Sequence, residues 1–117
     1  MRWALVLAAV GEAATGAALL IVPSVVGRLL LGEELTGVAI PVARVAGIAL
    51  IALGMSCWPG PARLGMLAYV AVVALYLAYI GVVHGLTGTL LWPAVVVHVI
   101  LTALLIRQAT SDKETKA

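Results

Sequence analysis

Charge is scarce in this chain. Asp, Glu, Lys and Arg make up only 10% of the 117 residues, against roughly 25% in soluble domains. Hydrophobic residues reach 64%, against roughly 45–50% in soluble proteins. So few ionic groups cannot hide that much apolar surface from water, so a soluble fold is excluded and the solvent is lipid. The net charge is +2, and no basic patch interleaved with aromatics appears, which excludes a nucleic-acid partner. Cysteine is nearly absent. Cys57 alone rules out an intrachain disulfide and a CxxC redox pair, and a lone Cys in an apolar helix reads as a packing residue. Zinc, phosphate-loop and hydrolase motifs are missing. The expectation is therefore a protein without metal, cofactor or enzymatic activity.

What the chain does have is four apolar runs: residues 3–22, 38–57, 64–83 and 90–106. Pro23 stops the first, Trp58-Pro59-Gly60-Pro61 the second, and Arg107 with a polar tail the fourth. Each run has the length of a helix crossing a ~30 Å hydrocarbon core at ~1.5 Å per residue. Lipid-facing open strands would leave backbone groups unpaired. The fold class is therefore all-α: an integral membrane four-helix transmembrane bundle, a single domain over residues 1–117 with a polar tail at 107–117. Arg2, the apolar stretch and Ala13–Ala14 resemble a cleaved signal peptide. Glu12 interrupts that stretch and the run continues to Val22, so the segment is expected to remain as the first span.

Four spans place both termini and the middle loop on one side. That side carries Arg2, Arg63, Arg107, Lys113 and Lys116, and the other carries Arg28 beside Glu33 and Glu34. The bias predicts cytoplasmic termini. Trp3 and Trp58 then mark the inner interface and Trp92 the outer one. Between the first two spans, Val25, Val26, Leu29 and Leu30 recur at helical spacing. Ser24 suits an N-cap and Gly32 a stop, which predicts a short interfacial helix over Val25–Leu31; an ordinary connector or a lid fits the same residues. Thr36 is expected to cap the second span. Pro41 bends that span if it starts at Thr36 and is harmless if it starts at Pro41. The links at Pro59–Pro61 and Gly85–Thr89 are tight, making the helices they join antiparallel neighbours.

One polar side chain falls near the middle of each run: Glu12, Arg44, Tyr76 and His98. Counting residues places all four in one layer, in the middle to outer half of the bundle. Glu12 shares a face with Ala8, Thr15 and Gly16, and Ala39–Ala43–Gly47 makes a small-residue ridge beside Arg44. Such faces let helices approach closely. Tyr76 belongs to a stripe with Tyr69 and Tyr79, and His98 lies with Ala94 and Thr102. A charge at the centre of a span costs ~2.5–3.5 kcal/mol on insertion scales. That cost predicts an intramembrane ion pair between Glu12 and Arg44, with Tyr76 and His98 as hydrogen-bond partners. The cluster suits a ligand pocket or a proton relay; a polar knot that only sets helix register is the structural alternative. His84 lies near the outer end of the third span, several Å from the depth of His98, which argues against a shared haem.

The segment Ala43-Arg44-Val45-Ala46-Gly47-Ile48-Ala49-Leu50-Ile51-Ala52-Leu53-Gly54 resembles the arginine-and-glycine helix of DoxX-like membrane proteins. Size and span count agree. The resemblance implies a small bacterial inner-membrane protein, and some members of that family accompany quinone-linked oxidoreductases. A second resemblance is to small multidrug resistance transporters, which have an essential glutamate midway along their first helix, as Glu12 is here. Their lysine beyond that glutamate and their glycine-rich third helix have no counterpart in this chain. The expected function is binding of a small amphipathic ligand, a quinone or lipid, alone or as an accessory subunit, through Glu12, Arg44, Tyr76 and His98. The alternatives are a proton-coupled transporter using Glu12 and a structural subunit. A homo-oligomer or a membrane-complex partner is compatible with each.

Overall fold

A computed structural model describes residues 2–86 and 88–116, with residue 2 and residues 111–116 described in backbone only. The side chains of Arg2, Lys113 and Lys116, which enter the charge argument, lie outside the described residues, as does Thr87 in the Gly85–Thr89 link. Five helices follow in order: α1 (Arg2–Ile21), α2 (Pro23–Leu31), α3 (Ala39–Cys57), α4 (Ala62–Val83) and α5 (Leu91–Lys116). No strand occurs among the described residues. Four helices are long and apolar enough to cross a membrane, over Trp3–Ile21, Ala39–Cys57, Ala62–Val83 and Leu91–Thr110. Even the β-branched stretch Val95–Val99 is helical. In hydrocarbon, a lone segment can satisfy its backbone groups only as a helix, and that requirement overrides β propensity.

The polar tail is helical where it is described: α5 continues to Lys116. No Gly or Pro follows Pro93, so nothing interrupts the helical ladder. Thr110 bonds its hydroxyl back to the Ile106 carbonyl at 3.0 Å.

The chain forms two units, Met1–Met66 and Leu67–Ala117. In the first, α1 and α3 meet backbone to backbone. A Cβ on Gly16 would stand 2.5 Å from the Gly47 carbonyl oxygen, and one on Gly54 would stand 2.7 Å from that of Ala9. These pairings run in opposite directions along the two helices, so the hairpin is antiparallel. Small residues permit the approach, and the ridge expected at Ala43 and Gly47 is buried.

α2 makes the turn between them. It starts one residue before the expected Ser24 cap, with Pro23 in its first turn, where a fixed φ and a missing N–H cost nothing. No side chain caps it. Ser24 instead donates its hydroxyl to the Leu35 carbonyl at 3.2 Å, pinning the returning chain. Gly32 ends α2 at φ 84°, its N–H bonded to the Arg28 carbonyl, as a left-handed stop should. Thr36 does not cap α3 through its side chain; its carbonyl accepts the Ala39 N–H at 3.2 Å. Pro41 is the third residue of α3, inside the first turn, where no helical donor is lost.

In the second unit Val70, Val73, Ala74 and Ile80 are buried. α4 ends at a left-handed Gly85, with the N–H groups of His84 and Leu86 both bonded to the Ile80 carbonyl. A Cβ on Gly81 would meet the side chains of Leu91 and Trp92, so α5 returns along α4 within this unit.

Candidate functional site

The register of the α1–α3 hairpin decides where its two charges go. With Gly16 against Gly47 and Ala9 against Gly54, Glu12 falls level with about Ile51, and Arg44 with about Leu19. About seven residues of α1, or ~10 Å, separate those levels. No ion pair joins Glu12 to Arg44 among the described residues; the pair seen there is Arg28–Glu34 at 3.0 Å. The expected intramembrane ion pair is therefore not formed. Depth counting measured each charge along its own helix, but the glycine contacts set how the helices slide.

Arg44 has a different partner. Its Nε–H donates to the Leu20 carbonyl at 3.2 Å, and the residue is half-buried. Leu20 is the penultimate residue of α1, so its carbonyl is one of the last four without an intrahelical donor. Pro23 adds to that shortage because it has no N–H to offer. A guanidinium there satisfies one orphan acceptor and sits at the negative end of the helix dipole. The geometry is natural for α3, whose side chains lean toward its own N-terminus. Sequence reasoning found Arg44 but missed the Leu20 carbonyl. The available signal was Pro23, which announces an unsatisfied helix end.

Glu12 is exposed. The residues that face α3 are Ala9, Ala13 and Gly16, and Glu12 lies off that stripe. Ala8, Gly11 and Thr15, its neighbours on the helix surface, are exposed too, and a Cβ on Gly11 would meet nothing within 4 Å. Thr15 donates its hydroxyl to the Gly11 carbonyl at 2.9 Å.

In the second unit the tyrosine stripe divides in two. Tyr76 stacks on Tyr79 with ring centroids 6.5 Å apart, and Tyr79 meets the His84 ring edge-on at 5.2 Å. His98 packs instead against Tyr69, at 6.1 Å. Tyr76 and His98 therefore belong to separate aromatic clusters among the described residues. His98 Nδ1 lies 2.7 Å from the Ala94 carbonyl. A carbonyl only accepts, so Nδ1 carries the proton and donates. Thr102 donates to the His98 carbonyl at 2.7 Å.

A groove of about 390 Å³ runs between α4 and α5, lined by Ala71, Ala74 and Leu75 on one side and by Val99, Thr102, Ala103 and Ile106 on the other. Thr102 contributes the single hydroxyl. The sequence signal for it was Ala71 and Ala74 at helical spacing on α4, with Ala103 on α5. Cys57 is exposed at the end of α3 rather than packed, because the chain turns away at Trp58. No metal-holding group of His, Cys, Asp or Glu occurs among the described residues. Comparison with protein-family models, with curated proteins and with solved structures finds no match to this chain.

Proposed function

We propose that this chain is a four-helix transmembrane bundle of a bacterial inner membrane that binds a small amphipathic ligand, a quinone or a lipid. It acts alone or as an accessory subunit and is not itself an enzyme. The observation that carries this reading is the α4–α5 groove. At about 390 Å³ and almost wholly apolar, it is the size of a small-molecule site and suits a hydrocarbon chain. Within the same unit, His98 lies one turn from Thr102 and can supply a polar contact. The bias of Lys and Arg supports cytoplasmic termini, and the exposed leucines of α2 support its lying in the interface.

Mass spectrometry of the purified protein tests the proposal. The wild type should carry a lipid or quinone through purification. Ala103→Phe, which fills the groove, should release it while the helical circular dichroism stays unchanged. An empty wild type, or a ligand that survives Ala103→Phe in an Arg44→Leu background, would sink the groove as the site.

The second reading is a proton-coupled transporter. It is favoured by Glu12, an acid midway along α1 that is exposed and lacks an ion pair among the described residues. Transport predicts pH-dependent uptake in vesicles that Glu12→Gln abolishes.

A further inference from the structure

We infer that Arg44 holds a phosphate oxyanion at the α2 end of the α1–α3 hairpin. The inference takes from the proposed function only that these helices span a bilayer, and it does not depend on the α4–α5 groove. Arg44 is the sixth residue of α3, about 8 Å from that helix's end. Its side chain leans toward that end and reaches the last turn of α1, where Nε is spent on Leu20. That is the depth at which a long basic side chain snorkels to the headgroup layer.

The guanidinium has five N–H donors, and among the described residues only Nε–H has a partner. The Nη1 and Nη2 donors remain. They are not sealed inside the protein, since no buried side-chain nitrogen lacks a bond. Fixing Nε on a carbonyl also holds the end-on fork in one orientation, and that fork matches two oxygens of a phosphate.

Among the described residues no carboxylate pairs with Arg44. The unit that holds it has three acids, Glu12, Glu33 and Glu34. Glu12 is two turns away by register, and Glu34 is occupied by Arg28. Glu33 is exposed on the segment after α2 and forms no ion pair among the described residues. A cation at the edge of hydrocarbon without a carboxylate draws its counter-ion from outside, and the oxyanion abundant at that depth is phosphate. A lipid headgroup and a soluble phosphate ester share that chemistry.

Native mass spectrometry of the full chain in neutral detergent separates the two sources. In one arm the protein is exchanged with mixed micelles of phosphatidylglycerol and phosphatidylcholine; in the other it receives inorganic phosphate. A headgroup site predicts that the wild type retains phosphatidylglycerol over phosphatidylcholine by roughly tenfold, the scale of one charge-assisted hydrogen bond. A soluble-anion site predicts phosphate adducts instead. Either signal should vanish in Arg44→Leu. Arg44→Lys, which keeps the charge and loses the fork, should fall between the two, and it decides the matter if Arg44→Leu fails to fold. Absence of both signals in the wild type would overturn the assignment. So would a lipid preference unchanged in Arg44→Lys or surviving in Arg44→Leu. Ala103→Phe should leave this preference intact, which separates failure here from failure of the groove.

Discussion

The two helix pairs, α1 with α3 and α4 with α5, solve the same packing problem with different atoms. In the first, glycines face glycine and alanine, and carbonyl oxygens stand where a Cβ would go. Even the long side chain at that seam, Arg44, bonds to backbone. In the second, Gly81 meets the side chains of Leu91 and Trp92, an aromatic pair joins Tyr69 to His98, and a groove of about 390 Å³ is left over. Backbone contact fixes sliding, because a shift by one residue drives a Cβ into a carbonyl. Side-chain contact tolerates adjustment and leaves room. The first pair is therefore built to hold register, and the second has the space in which a ligand can lie.

The sharpest way to break this contrast is to add one methyl group to each seam. Gly47→Ala places a Cβ 2.5 Å from the Gly16 carbonyl oxygen. Backbone cannot move aside cheaply, so the loss should be about 2–3 kcal/mol, the range for overpacking. Gly81→Ala meets Leu91 Cδ2 at 2.6 Å and the Trp92 ring at 3.0 Å. Those are side-chain ends that can turn away, and alanine favours a helix by up to about 1 kcal/mol. The net change should stay below about 1 kcal/mol. Reversible unfolding in mixed detergent–SDS micelles, followed by circular dichroism, measures both. Equal losses would mean that the two seams do not differ in kind.

A smaller effect follows from the register itself. Because Glu12 and Arg44 are held two turns apart, Glu12→Gln and Arg44→Gln should act independently. The double variant should equal the sum of the singles within about 0.5 kcal/mol. Glu12→Gln alone should not destabilise the protein, whereas breaking a buried pair costs about 3–5 kcal/mol. A coupling energy above about 1.5 kcal/mol would show that the charges meet and that the hairpin slides.

The helices were legible in the sequence because lipid leaves the backbone no alternative. Pro23, Gly32 and the Pro59–Pro61 turn mark their ends for reasons local to a few residues. The small faces of α1 and α3 were legible too, since Gly16 and Gly47 pack as small residues should. What those faces carry was not. Glu12 and Gly16 are one turn apart, yet Gly16 enters the seam and Glu12 does not, because the stripe runs through Ala9 and Ala13. Partners were least legible. Arg44 bonds to a carbonyl that any residue at position 20 would supply, so only Pro23, which marks the helix end, hints at it. The drop in hydropathy after Ile106 marks the end of a membrane span, not of a helix; only a missing donor or a strained residue ends a helix, and α5 runs on to Lys116.

The smallest effect sharpens the second seam. If His98 packs on Tyr69 and not on Tyr76, the two tyrosines should answer differently when the imidazole is removed. Tyr69→Leu and His98→Ala should couple by about 0.5–1.5 kcal/mol, the range for an aromatic contact beyond its buried area. Tyr76→Leu and His98→Ala should add with no coupling beyond error, since Tyr76 keeps its stack with Tyr79 on the same helix. The same micelle unfolding assay reads both cycles. A larger coupling for Tyr76 than for Tyr69 would mean that the ring contacts regroup. The second seam would then hold one continuous aromatic cluster in place of two.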